Sequence, residues 1–415
     1  MIIRAIVKNS IGIEGEATLN CVANNKIKRK SESNVYKNID DDINVLHTIG
    51  VIGCNGSGKT SIIRSIEALN YFANFPFRKS NEHLKKTLEK LKEINELNSN
   101  NIDEILEKIN KINLPSTNIN HLDEDTFISL EIYVPKVKDY IEGYYTYSIL
   151  YNKDYQKNGV KNEKLLYRKK YNSVRYDVIF DVNNVFESEL GTTILYENNT
   201  ISEHINPHID YYKTFFENLN NITYIESGSI QINLMDFYEK HEILLQKLCH
   251  LADSNIVKVE VEQKDDKKNM YFINSKGNSL GFEDLSTGTR KIIVLGCKMS
   301  YAFYDGKTIF IDEIENSLHF SLACFLMTFF EKIKKESYGQ LIFTTHSSLL
   351  ISILDNDQIY YIDNSNGKYS ILTVNDAIKM KKINKDKNIS TAIFEGSLIK
   401  KPDADVIREF LSKFE

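Results

Sequence analysis

The chain has 415 residues and a formal net charge of −5. That length can bury a large core, and the negative balance excludes a generally basic nucleic-acid coat while leaving a local binding groove open. Cys21, Cys54, Cys249, Cys297 and Cys324 are scattered and odd in number, which excludes a zinc site of paired cysteines and an extracellular disulfide framework.

The first stretch, Met1-Ile2-Ile3-Arg4-Ala5-Ile6-Val7, reads as a strand and not as a charged leader followed by a long apolar run. No later segment reaches membrane-spanning length, so the expected location is cytoplasmic, with no membrane partner. Residues 1–78 read as one lobe: an N-terminal strand pair, a polar stretch over residues 24–42, the buried strand Thr48-Ile49-Gly50-Val51-Ile52, and Gly53-Cys54-Asn55-Gly56-Ser57-Gly58-Lys59-Thr60. The last segment has the pattern G-x-x-x-x-G-K-[ST], and the helix that follows it from Ser61 carries its apolar residues on one face. Gly56 and Gly58 let the backbone curl so that successive N–H groups point at the β- and γ-phosphates of a nucleoside triphosphate, backed by the positive end of the helix dipole. The expected nucleotide contacts are Asn55, Gly56, Ser57, Gly58, Lys59, Thr60 and Ser61, with Lys59 neutralising phosphate oxygens and Thr60 ligating Mg²⁺.

Residues 79–125 change sharply in composition. Leu84, Leu88, Leu91, Ile94 and Leu97, then Ile102, Ile105, Leu106, Ile109 and Ile112, predict two helices hinged near Asn98-Ser99-Asn100-Asn101. This hairpin is too short for a long coiled coil, and its composition fits either packing on the lobe or contact with a partner. Over residues 126–210, the stretches 127–134, 144–151, 164–171 and 176–180 alternate apolar or aromatic with polar residues and predict an antiparallel meander. Its tyrosines, including Tyr144, Tyr145, Tyr147, Tyr151, Tyr167 and Tyr171, are explained more economically by a half-buried sheet than by base stacking. Residues 211–280 read as helices up to about Leu251, then a hairpin over 256–263 and 270–273 across the charged turn Lys264-Asp265-Asp266-Lys267-Lys268.

Three segments of chemical interest fall in residues 281–415. Leu285-Ser286-Thr287-Gly288-Thr289-Arg290-Lys291 opens a helix with a hydroxyl and a glycine; taken alone it is a helix cap, although its N–H groups can also grip an anion. Thr308-Ile309-Phe310-Ile311-Asp312-Glu313 is an apolar strand ending in two carboxylates, the arrangement for holding Mg²⁺ through Asp312 and polarising a water with Glu313. Gln340-Leu341-Ile342-Phe343-Thr344-Thr345-His346-Ser347-Ser348 is a second buried strand, with a histidine at its end. In the tail, Glu395, Asp403 and Asp405 are crowded near the end of the sequence, which speaks against a nuclease whose carboxylates come from separate strands. Lys379, Lys381, Lys382, Lys385 and Lys387 read as a solvated helix face before a phosphate contact.

In this order the segments resemble the ABC-type ATPases, in the branch that holds SMC, RecF-like and OLD-like proteins. The resemblance implies an α/β P-loop NTPase head with a mixed sheet, an antiparallel meander and a short helical insertion. It matches Lys59 and Thr60 to the Walker A lysine and Mg²⁺ ligand, Asp312 and Glu313 to the Walker B aspartate and catalytic glutamate, and Ser286 and Gly288 to the signature motif. Glu315-Asn316-Ser317-Leu318-His319 falls where the D-loop belongs, and His346 matches the switch histidine that senses the γ-phosphate. Gly396 and Pro402 match the tail of stand-alone members of the branch. The chain departs from the pattern in one element, since no Q-loop glutamine is identified after the first helix.

The resemblance implies an ATPase, with ATP and Mg²⁺ as cofactors and Glu313, Lys59 and His346 as the catalytic set. It also implies two head-to-tail protomers, or a higher homo-oligomer, sandwiching nucleotide so that Ser286 of one completes the site of the other. Stand-alone heads of this kind resemble ATPase subunits of the Septu, PARIS and retron-associated anti-phage systems, which implies a regulatory subunit acting with a separate effector such as a nuclease or toxin. A RecF-like DNA-maintenance ATPase is the alternative, and DNA stays open as a partner.

Overall fold

The computed structural model describes residues 1–10, 13–24, 36–40, 43–53, 56–74, 124–137, 139–152, 160–183, 208–225, 233–264, 267–315, 337–363, 370–384 and 389–398. In chain order the described elements are β1 (Ile2–Ser10), β2 (Ile13–Asn20), β3 (Tyr36–Asp40), β4 (Ile43–Leu46), β5 (Thr48–Ile52), α1 (Lys59–Asn74), β6 (Thr126–Val134), β7 (Gly143–Tyr151), β8 (Val160–Arg168), β9 (Asp177–Asn183), α2 (Ile209–Leu219), β10 (Ile222–Ile225), α3 (Leu234–Ala252), β11 (Ile256–Lys264), β12 (Lys267–Asn274), β13 (Ser279–Leu280), α4 (Thr287–Asp305), β14 (Thr308–Ile311), β15 (Gln340–Thr345), α5 (Ser348–Ser352), β16 (Ile359–Asp363), β17 (Ser370–Thr373), α6 (Val374–Lys379) and α7 (Ile389–Phe394). None of the described helices is long and apolar enough to cross a membrane. The helical hairpin expected within residues 79–125, the D-loop residues Asn316 to His319, and Pro402, Asp403 and Asp405 lie outside the described residues, as do Lys385 and Lys387.

Two large sheets carry the fold. In the first, the order among described strands is β2-β1-β6-β7-β8-β9, and every pairing in it is antiparallel. The alternation along β7 is visible in its burial, and the tyrosines it turns inward are fully buried, Tyr145 and Tyr147 among them. Their rings pack on Phe215 of α2, with centroids 6.0 Å and 5.4 Å away, and Tyr145 also lies 5.1 Å from its cross-strand partner Tyr167. These rings are part of the core and present no face to a base. Charge is buried in this sheet as well. Glu131 on β6 is paired with Arg168 on β8, and it accepts a second contact from Arg4 on β1 at 3.2 Å. The Arg168 guanidinium sits over the rings of Tyr171 at 4.7 Å and Tyr176 at 5.1 Å.

The second sheet runs β10-β14-β15-β5-β16-β17. All pairings from β10 to β16 are parallel, and only β17 is reversed. Its central strands are buried along their whole length, as expected of parallel strands covered on both faces. Gly50 packs tightly in β5, since a Cβ there would lie 2.8 Å from Ile351 Cδ1 and 2.9 Å from both Leu354 Cδ1 and Phe343 Cζ, so those side chains would have to shift. Smaller units are the hairpin β3-β4 and the sheet β11-β12-β13, which packs with α3 and α4 around Phe237, Phe272 and Ile293.

Where the sheets meet, the side chain of Gln340 is fully buried and fully bonded. Its Nε2 donates to the carbonyls of Ile2 and Leu46, each at 3.1 Å, while its Oε1 accepts from Ile2 N at 2.9 Å and Thr308 Oγ1 at 3.2 Å. One amide therefore joins β1, β4, β14 and β15. Nearby His47 is also buried and shares a 2.7 Å bond between Nδ1 and the Gly339 carbonyl.

Burial pushes the His47 imidazole down from 6.5 to about 4, against the upward pull of that bond. Between those values the unfolded chain takes up a proton that the folded histidine refuses, so this residue makes stability fall as pH falls through that window. The expected slope is at most about 1.4 kcal/mol per pH unit. Urea unfolding at pH 7.5 and pH 5 checks it: a His47→Gln variant, which lacks the titrating ring, loses less stability between the two pH values than the parent does.

The structure differs from the sequence reading in several places, among them the end of the lysine-rich helix, which stops at Lys379 so that Lys381 and Lys382 lie beyond it, and the last meander strand, which runs Asp177–Asn183 instead of 176–180. The polar stretch over residues 24–42 contains β3 and leads into β4, a hairpin whose strands are too short to show periodicity. The third meander strand is Val160–Arg168 instead of 164–171, because pairing with β7 starts at Val160. The hairpin β11-β12 is longer than expected and its turn shorter, with Lys264 paired to Lys267. Between the helices of residues 211–251 lies β10, a four-residue edge strand of the parallel sheet that helical spacing does not disclose.

Candidate nucleotide site

Parallel strands put their C-terminal ends on one edge, and the order β14-β15-β5 brings three sequence-distant segments together there. After β5 comes the glycine-rich loop. Gly56 and Gly58 have φ of 72° and 91°, the left-handed region in which a side chain is strained. Gly53 is held tightly as well, because a Cβ there would lie 2.4 Å from Ser57 Oγ. The loop passes into α1 at Lys59, so the free N–H groups of the first helical turn face the loop's concavity. Lys59 is buried, and its Nζ donates to the Gly53 carbonyl at 2.9 Å. Asn55 and Cys54 lie outside the described residues, while Ser57 is buried and Ser61 half-buried at the head of α1.

After β14 come Asp312 and Glu313. Thr60 Oγ1 donates toward the Asp312 carboxylate, at 3.0 Å from Oδ2 and 3.2 Å from Oδ1. Those separations match the spacing of two neighbouring ligands on an octahedral Mg²⁺, about 3.0 Å for metal–oxygen bonds of about 2.1 Å. A hydroxyl and a carboxylate are also the hard oxygen donors that Mg²⁺ takes, so the two residues fit the ion. Glu313 has φ of 48°, a left-handed backbone that is uncommon for a residue with a Cβ. Its carboxylate is partly exposed, and Oε1 stands 3.7 Å from Nε2 of His346.

After β15 comes His346. Its backbone N–H donates to Glu315 Oε1 at 2.6 Å, which fixes the loop beyond β15 to the loop beyond β14. One residue of this strand escaped the sequence reading. The hydroxyl of Thr344 donates to Asp312 Oδ1 at 2.5 Å and accepts from Glu313 N at 2.8 Å. No spacing rule could have found it, since the contact crosses from one strand to the next.

The structure thus brings Lys59, Thr60, Asp312, Glu313 and His346 to one edge. Neither Ser286 nor Gly288 is hydrogen-bonded to the described residues of the loop over 53–60. Ser286 instead caps α4, accepting from Thr289 N at 3.1 Å and sharing a 2.8 Å bond with Thr289 Oγ1. Arg290 in the same turn is paired with Glu283. A cavity of about 410 Å³ opens elsewhere, between Tyr133, Tyr140, Asn221, Tyr304 and Tyr338, and touches none of the residues of this edge.

The sequence model of the family described as "AAA domain, putative AbiEii toxin, Type IV TA system" matches residues 72–352, a span that includes Ser286, Asp312, Glu313 and His346. No curated protein matches the chain. Among solved structures, the chain is similar to the SMC head domain from Thermotoga maritima at 10% identity, covering 90% of this chain and 98% of that one with a TM-score of 0.41. It is similar to an Smc head bound to the C-terminal winged-helix domain of ScpA at 11% identity, covering 90% and 97% with a TM-score of 0.48. A third is the Smc head domain with an extended coiled coil bound to the C-terminal domain of ScpA, derived from Pyrococcus furiosus, at 9% identity, 92% and 98% coverage and a TM-score of 0.45.

Proposed function

The chain belongs to the family of AAA domains described as a putative AbiEii toxin of type IV toxin–antitoxin systems, and from that membership we propose an ABC-type ATPase that regulates a separate effector in anti-phage defence. The fold is that of a P-loop ATPase head, a mixed α/β architecture with an antiparallel sheet. The observation that carries the reading is the convergence of Thr60, Asp312, Glu313 and His346 beyond three parallel strands, beside a glycine loop that opens a helix.

In this reading the loop N–H groups and the start of α1 bind the β- and γ-phosphates of ATP, and Lys59 turns from Gly53 to neutralise their oxygens. Thr60 and Asp312 would hold Mg²⁺, which would supply charge screening for the phosphates. Glu313 accepts a hydrogen bond from the attacking water and takes its proton. His346, within reach of Glu313, contacts the γ-phosphate and reports its presence. Ser286, which caps α4, and Gly288 in its first turn serve the nucleotide of a second copy, so the site is complete only in the closed homodimer. The toxin–antitoxin description of the family supports a two-component arrangement, with the ATPase acting on another protein.

The test is equilibrium binding of a fluorescent ATP analogue with Mg²⁺ to the parent and to Lys59→Ala, alongside phosphate release. The variant is expected to bind at least about tenfold more weakly and to release no phosphate. Equal affinity and equal turnover would sink the site assignment. Native mass spectrometry of the protein isolated from its host, with neighbouring genes intact, separates the partner readings: a co-purifying effector supports defence, and homo-oligomers carrying DNA support DNA maintenance.

A further inference from the structure

We infer that Thr344 is a positioning residue of this site, whose single hydroxyl ties the metal-side carboxylate of Asp312 to the backbone of Glu313. The inference rests on the ATPase reading above and adds a residue to it. A threonine hydroxyl has one hydrogen to give and two lone pairs to receive with. Here the hydrogen goes to Asp312 Oδ1 at 2.5 Å and a lone pair takes the Glu313 N–H at 2.8 Å. The Thr344 carbonyl accepts the next N–H, that of Ile314, at 3.1 Å. One buried residue thus holds three consecutive residues of the acidic loop from the neighbouring strand.

That support has a specific job. A non-glycine residue at φ of 48° persists only where its surroundings hold it, and Glu313 receives its main-chain support from Thr344. On the other side, Asp312 accepts from two hydroxyls, those of Thr344 and Thr60. The Thr344 bond occupies one edge of the carboxylate and aims the remainder at Thr60, where the metal would sit. Because the register pairs Ile311 with Phe343, the next position, Thr344, stands beside Asp312. A hydroxyl that only needed satisfying in a strand could bond any nearby carbonyl, whereas this one bonds the two neighbours that bear the proposed chemistry.

Thr344→Val keeps the shape and removes the hydroxyl, and Thr344→Ser keeps the hydroxyl. Two readouts are needed: steady-state ATP turnover, and Mn²⁺ titrated onto the protein with a non-hydrolysable ATP analogue and followed by electron paramagnetic resonance. Thr344→Val is expected to bind Mn²⁺ about tenfold more weakly and to lose about 10–100-fold in kcat, with KM for ATP changed by no more than about threefold. Thr344→Ser is expected to stay within about threefold of the parent in both. Parent-like Mn²⁺ binding and kcat in Thr344→Val overturn the inference, as does a Thr344→Ser variant that falls as far as Thr344→Val, which would assign the effect to packing of the methyl group. Thermal melting confirms that each variant is folded, and Thr344→Ala replaces Thr344→Val in both assays if the valine variant does not fold. A parent protein that neither binds nor hydrolyses ATP overturns the ATPase reading and this inference with it, while an active parent matched by Thr344→Val overturns this inference alone.

Discussion

Glu313→Gln is expected to lower ATP turnover by about 10²–10⁴-fold while leaving affinity for ATP·Mg²⁺ within about threefold of the parent. Glutamine fills the same space and tolerates the left-handed backbone no worse than glutamate, so the loop over 312–314 should keep its shape. What it lacks is a carboxylate to take the proton of an attacking water. Thr60 and Asp312 are untouched, and so is the Lys59 side of the loop, which is why binding should survive. If closure precedes hydrolysis, the variant with ATP should also accumulate as a dimer that the parent forms only transiently. Single-turnover phosphate release and light scattering during size-exclusion chromatography read the two effects. Turnover that survives the substitution would mean that the water is activated elsewhere, and Glu313 would then be a structural acid beside His346 at 3.7 Å.

The second large effect is on stability. Glu131→Ala should cost about 3–5 kcal/mol, because it leaves Arg168 buried without its carboxylate. Both side chains are almost fully enclosed, at 2% and 8% exposure, so water cannot substitute for the lost partner. The tyrosines around Arg168 partly offset the loss, since a guanidinium over aromatic faces keeps some favourable electrostatics. Removing both charges together, as Glu131→Leu with Arg168→Met, should cost much less than the single change, because a paired ion in a low-dielectric core can be replaced by apolar groups of similar volume. Guanidinium unfolding of the singles and the double gives the coupling between them. A single Glu131→Ala variant as stable as the parent would show that the pair is solvated in solution.

What could be read from the sequence was local. The glycine loop lies between a five-residue apolar strand and a helix, all within one contiguous stretch, and both the acidic strand and the histidine strand end in the residues that the chemistry needs. The meander announced itself by alternation, although β8 starts four residues earlier than its pattern, because Val160 pairs with Tyr151 across the bulge at the strand end. What could not be read was set by contacts across strands. The four residues of β10 are held by their parallel neighbour β14, and no run that short carries a period. Thr344 and Gln340 look like ordinary strand residues until the register sets one beside Asp312 and the other beside Ile2 and Leu46. The serine of the 285–291 segment read as a helix cap on its own, and a cap is what it forms within one chain.

The position of Gln340 also bears on how the molecule comes apart. Its four bonds reach backbone or hydroxyl groups of three other strands, so separating the two large sheets strands several buried polar groups at once. Opening at that junction is therefore all-or-none and cannot proceed as gradual fraying. The amide protons of β1 and of β15 should consequently exchange with solvent at a shared, near-global free energy, even though 338 positions of sequence separate Ile2 from Gln340. The edge that carries the nucleotide loop is thus anchored to the meander as one cooperative unit, and whatever moves there during a cycle of binding and release moves on a base that does not yield.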